Sequence, residues 1–180
     1  DILTQQELRD MFKRKELFWD VVRNFMKQEG FMEVETPTLE VTTGGAEARP
    51  FKTHHNDYDI DVFLRISVGE LWQKRLLAGG LEKIFEIGRI YRNEGTSPNH
   101  LQEFTNMEFY QAYANYEDGM NLVERLYRRI AEALYGTTVF TYGQHTFDLA
   151  LPWSRVDYVE EIKRQTGIDV VTANEDEIRE

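Results

Sequence analysis

FEIGRIYRNEGTSPNHLQEFTNMEFYQAY, residues 85–113, consists of two alternating segments around a polar loop. In the first, Phe85, Ile87 and Tyr91 alternate with Glu86, Gly88 and Ile90, ahead of Arg92. In the second, Thr105, Met107, Phe109, Gln111 and Tyr113 alternate with Phe104, Asn106, Glu108, Tyr110 and Ala112. Successive residues of a strand point to opposite faces, so Phe104, Asn106, Glu108 and Tyr110 share one. A ring, an amide, a carboxylate and a phenol in a row describe a pocket wall better than a core. A solvated hairpin would account for any one of them, but not for the whole set.

The chemistry of that face suits a nucleotide beside a cation. Arg92 offers a planar guanidinium fork for a phosphate oxygen, more rigidly than a lysine would. Phe104 offers a π-face on which a purine stacks, worth about 1–3 kcal/mol per base. Glu108 is an anionic partner for an ammonium group, with the Tyr110 hydroxyl two residues along.

These residues carry a resemblance to a known family. The segment FEIGRIYRNEG, a short loop with His100, and then EFTNMEFYQAY resemble motif 2 of the class II aminoacyl-tRNA synthetases, most closely the lysine-specific members. Residues 30–39, GFMEVETPTL, look like motif 1, and residues 44–56, GGAEARPFKTHHN, are similar to the segment that closes over the lysine substrate. The resemblance runs from about residue 9 to the end, in the family's order. Leu101-Gln102 stands where lysine enzymes often carry Asn-Pro, and the segment 67–70 is one residue longer than the more common form.

The resemblance implies an α+β fold, an antiparallel sheet flanked by helices, and activation of lysine by ATP to lysyl-adenylate. Transfer to the 3′ end of lysine tRNA follows. Arg92 would bind the α-phosphate as the catalytic residue, Glu94 and His100 would contact ATP, and Phe104 would stack on adenine. Glu108 and Tyr110 would hold the lysine ε-ammonium, with Glu70 and the Gly45 backbone at the α-amino end. The carboxylate is already a nucleophile, so catalysis is positioning and charge stabilisation, without a general base. The expectation is a partial catalytic domain over residues 1–180, lacking motif 3 and the N-terminal anticodon-binding domain. Mg2+ is expected for the whole enzyme with ligands outside this chain, and a homodimer is expected through motif 1. Three other readings stay open: a lysyl-transferase paralogue that modifies a protein such as elongation factor P, an aspartate- or asparagine-specific synthetase, and a non-catalytic binding module. An acidic substrate would need a cation where this chain has Glu108 beside Tyr110.

Composition narrows the rest. The chain has 180 residues, enough for one core of ordinary size, and no cysteine for disulfides or thiolate metal sites. No apolar run reaches membrane-span length, which fits a cytoplasmic domain without a membrane partner. A net charge of −11 argues against this piece carrying the main tRNA surface, because a polyanion meets a basic face. His54 and His55 are neighbours and would point to opposite faces of a strand, so they do not share a metal.

Periodicity places the remaining elements. Leu17, Phe18, Val21, Val22, Phe25 and Met26 recur at helical spacing before Gly30. A short strand is expected at 32–36, ended by Pro37. Ile60, Val62, Leu64 and Ile66 alternate with Asp59, Asp61, Phe63 and Arg65, a half-buried strand followed by a helix over 70–78. Asn115 with Asp118 three residues on is a tolerable N-terminal cap, Asp being a weaker capping-box partner than Glu, for a helix stopped by Gly136. Residues 138–142 and 145–149 read as a hairpin, and helices are expected at 156–166 and from 174.

Overall fold

A computed structural model describes residues 2–179. Those up to Gly136 form one compact unit and those from Thr137 a second. The candidate site lies wholly in the first.

Helix α1 (Gln6–Gln28) buries Val22, Phe25 and Met26, which its 3.6-residue period brings to one side. Leu17 remains 41% exposed, and Met11 and Phe12 further toward the N terminus are more exposed still, so only the C-terminal turns of α1 enter the core. The chain then runs into β1 (Met32–Glu33), which pairs in parallel with β5 (Lys83–Tyr91). Strand β1 is shorter than the expected 32–36. Its ladder gains one further bond, Val34 N–H to the Phe85 carbonyl, and then Thr36 turns its hydroxyl onto Glu86.

Strand β5 pairs antiparallel with β6 (Glu103–Gln111), setting Glu86 opposite Glu108, Gly88 opposite Asn106 and Ile90 opposite Phe104. One face of this hairpin carries Phe85, Ile87, Met107 and Phe109, which pack on Val22, Phe25, Met26, Phe31, Leu122 and Leu126. That apolar cluster is the core, and it leaves the opposite face free for polar chemistry.

Leu122 and Leu126 come from α3 (Tyr116–Tyr135), opened by the expected capping box: Asn115 accepts from Glu117 and Asp118 N–H, and Asp118 accepts from Asn115 N–H. A second small sheet orders β2 (Leu39–Glu40), β4 (Ile60–Leu64) and β3 (Lys52–His55), all antiparallel. Helix α2 (Glu70–Ala78) follows β4, with the expected bounds. Arg65 is the main departure from the expected alternation. It follows the end of β4 and, although assigned to the polar face of a half-buried strand, is only 4% exposed.

The second unit holds the expected hairpin, β7 (Val139–Tyr142) with β8 (His145–Asp148), and two helices, α4 (Tyr158–Thr166) and α5 (Glu175–Arg179). Helix α4 starts two residues later than expected because Asp157 takes the cap position, accepting from Glu160 N–H at 3.0 Å. Among the described residues no helix is long and apolar enough to cross a membrane.

Candidate functional site

The site starts from a buried ion pair. Arg65 Nη1 donates to Glu86 Oε1 at 2.5 Å, and both side chains are 4% exposed. Arg65 Nε donates to the Arg89 carbonyl at 2.8 Å, and Glu86 Oε2 accepts from Thr36 Oγ1 at 2.6 Å. A buried pair persists only when such additional bonds satisfy both partners. The guanidinium passes over Gly88, where a Cβ would collide with Arg65 Nη2. The pair therefore forms the floor of the polar face of β5–β6, and the residues around it lie against a fixed charge pattern.

Glu108 rises from that face beside Glu86. Its Oε1 accepts from the Val68 N–H at 2.9 Å. Burial pushes its carboxyl above the usual range; the Val68 bond opposes this, the charges of Glu70 and Glu86 add to it, and Arg65 opposes it. Tyr110, next on the same face, is pushed up to about 12 by burial, with Glu70 and Glu108 adding. Glu70 opens α2, where a carboxylate is favoured by the helix dipole, and it pairs with Lys74 one turn on. Glu86 is paired directly with Arg65, whereas the hydrogen bond to Glu108 comes from a backbone N–H. A cation at this spot would relieve the repulsion between Glu108 and Glu70; an anion would not.

Gly45 completes this group. It adopts φ +89°, and a Cβ there would fall on Ser67 Oγ and the Glu70 carboxylate. Ser67 Oγ donates to the Gly44 carbonyl at 2.8 Å, tying the loop down. Gly45, Glu70, Glu108 and Tyr110, all expected at the lysine end, are thus brought together.

The four residues expected at the nucleotide, Arg92, Glu94, His100 and Phe104, line one cavity of about 280 Å³ with Gly95, Asn99, Leu101 and Gln102. The Arg92 guanidinium lies 5.5 Å from the Phe104 ring centroid. Its Nε is buried without a partner among the described residues, a costly state for a donor and one that an anionic oxygen would relieve. His100 Nδ1 lies 2.6 Å from Ser97 Oγ, a contact that shapes the loop.

Several contributors were not singled out from the sequence. Arg49 clips the 44–56 segment to the hairpin: its carbonyl accepts from Asn93 N–H at 2.7 Å and its N–H donates to Glu94 Oε1 at 3.2 Å. Gln102, in the departure from Asn-Pro, donates from Nε2 to the Glu94 carbonyl at 3.1 Å, and its own carbonyl accepts from Arg92 N–H at 2.8 Å. Arg65 and Glu86 were missed because each sat in an otherwise ordinary alternation. The one signal was a glycine, Gly88, in the middle of a strand, which marks a close approach. Elsewhere, His54 lies against Asp59 and Asp61, and His55 against the Tyr58 ring.

Comparison with known proteins shows the family. Residues 1–176 match the family described as tRNA synthetases class II (D, K and N). The chain is 45% identical to a lysine–tRNA ligase of Staphylococcus saprophyticus over 98% of its length and 36% of the relative's. It is 48% identical to that of Shouchella clausii, over 94% of this chain and 34% of the other. It is 47% identical to that of Fervidobacterium nodosum, over 95% and 33%. The chain thus spans about a third of the length of these curated relatives. It belongs to the class II tRNA synthetases of the D, K and N group.

Proposed function

We propose that this chain supplies the lysine- and ATP-binding face of a lysine–tRNA ligase. The observation that carries the proposal is the placement of two chemistries along one hairpin: Arg92, just past β5, and Phe104 at one cavity, with Glu108 and Tyr110 further along β6 on the face of Phe104. ATP stacks its adenine on Phe104, with Glu94 and His100 beside it and Arg92 on the α-phosphate. Lysine sets its ε-ammonium between Glu108 and Tyr110 and its α-amino group against Glu70 and the Gly45 backbone. The lysine carboxylate then attacks the α-phosphate, giving lysyl-adenylate and pyrophosphate, and the lysyl group passes to the 3′ end of lysine tRNA. Arg92 neutralises charge developing on the phosphoryl group, and the chain contributes mostly positioning.

Mg2+ accompanies the ATP phosphates in this scheme, with no ligand assigned to this chain. A homodimer through α1 and β1, and action in the cytoplasm, belong to the same proposal. The excess of carboxylates at the amino-acid end favours lysine over aspartate or asparagine. ATP–pyrophosphate exchange with lysine, aspartate and asparagine supplied separately tests it. Exchange with lysine alone is expected. Exchange with either other amino acid overturns the specificity. Lysine binding by calorimetry without exchange would leave a binding module in place of a catalyst.

A further inference from the structure

We infer that Gln73 is a positioning residue for lysine recognition, holding the turn before α2 so that the Val68 N–H stays aimed at Glu108. This rests on the lysine reading of the pocket given above. Gln73 is 0% exposed, in a helix whose other turns carry ordinary apolar or solvated side chains. A fully buried amide is costly unless bonded. Its Nε2 donates to the Val68 carbonyl at 2.7 Å, and its backbone N–H donates to the Gly69 carbonyl at 2.7 Å. The second is the ordinary first bond of the helix; the side chain adds the hold on the Val68 carbonyl. Gln73 Oε1 finds no partner among the described residues, so packing alone would favour an apolar residue of the same size.

The turn it holds leads into α2, where Gly69 takes φ +66° at the cap. Residues 65–69 are all buried, so the turn is packed inside the fold and does not move freely in solvent. On the other side of Val68, its N–H meets Glu108 Oε1 at 2.9 Å, a backbone donor that fixes the carboxylate's orientation. Releasing the Val68 carbonyl frees the peptide on one side of the Val68 Cα and lets the other rotate away from Glu108. The carboxylate then loses the donor that orients it toward an ammonium group.

Gln73→Met keeps the length and bulk of the side chain and removes both amide atoms. The Glu108 carboxyl titration, followed by carbon NMR and assigned with Glu108→Gln, is expected to move upward in Gln73→Met, because the Val68 bond holds it down. Lysine Kd is expected to rise roughly tenfold with ATP Kd unchanged, and Gln73→Met is expected to add no further loss in a Glu108→Gln background. Gln73→Leu carries the same expectations if the methionine is not accommodated. A folded variant in which the Glu108 titration stays put, or in which lysine and ATP affinities fall together, overturns the role of Gln73 alone. An unmodified chain that binds no lysine overturns the pocket reading beneath it.

Discussion

The Arg65 guanidinium occupies the space above Gly88 that any β-carbon at that position would need. The hairpin therefore carries its buried ion pair because of a missing side chain as much as because of the two charges. Glu86 and Thr36 close the pair from below, and Glu108 stands beside it.

Gly88→Ala is accordingly expected to cost about 3 kcal/mol, since displacing Arg65 leaves a buried carboxylate without its partner. Elsewhere in a strand the same change would be neutral or mildly stabilising. Urea unfolding of the two chains measures the difference, and an unchanged midpoint would show that Arg65 finds another route.

Glu40 should respond to pH in the opposite sense to Glu33. Glu40 is 7% exposed with Oε2 unpartnered; burial raises its carboxyl above the usual range, Arg65 opposes and Glu86 adds. A raised folded value means that its contribution to stability is present below the unfolded value and is lost as pH rises through the folded one. Glu40→Gln should therefore gain on the parent as pH rises, with the gap closing in acid. For Glu33, burial pushes upward, but Arg23 and Lys27 outweigh it and hold the carboxyl low. Its contribution is present above the unfolded value and fades as pH falls through the folded one. Melting temperatures across pH check both, and parallel curves for Glu40→Gln and the parent would refute the first.

Lysine binding should weaken as pH falls through the raised Glu108 titration, because the ammonium needs the ionised carboxylate. ATP binding should stay flat over that range. Glu108→Gln should remove the pH dependence and raise lysine Kd on the order of 30-fold, the loss of a charged hydrogen-bonded partner. If lysine and ATP affinities drop together in this variant, Glu108 serves the fold and not the ligand.

Phe104→Ala should raise the ATP Kd by roughly 5- to 150-fold, the range of one lost base-stacking contact, and leave amino-acid preference alone. Calorimetry with ATP and competition among lysine, aspartate and asparagine separate the two effects. A changed preference would move Phe104 out of the nucleotide site.

Local signals along the chain determined a good deal: the β5–β6 hairpin from its period of two, the core face of α1 from its period of 3.6, and the opening of α3 from the Asn115–Asp118 cap. The same period assembled Phe104, Glu108 and Tyr110 on one face, since a strand's geometry alone decides which side chains are neighbours. Only the tertiary structure decided that Arg65 leaves the polar face for Glu86, that β1 stops early to lend Thr36 to that pair, and that Gln73 reaches the turn below Glu108. Those contacts join residues far apart in the chain or at positions where periodicity predicts a solvated charge. Their energy comes from satisfying buried polar groups, a condition set by the surrounding elements once packed, so no local pattern announces it.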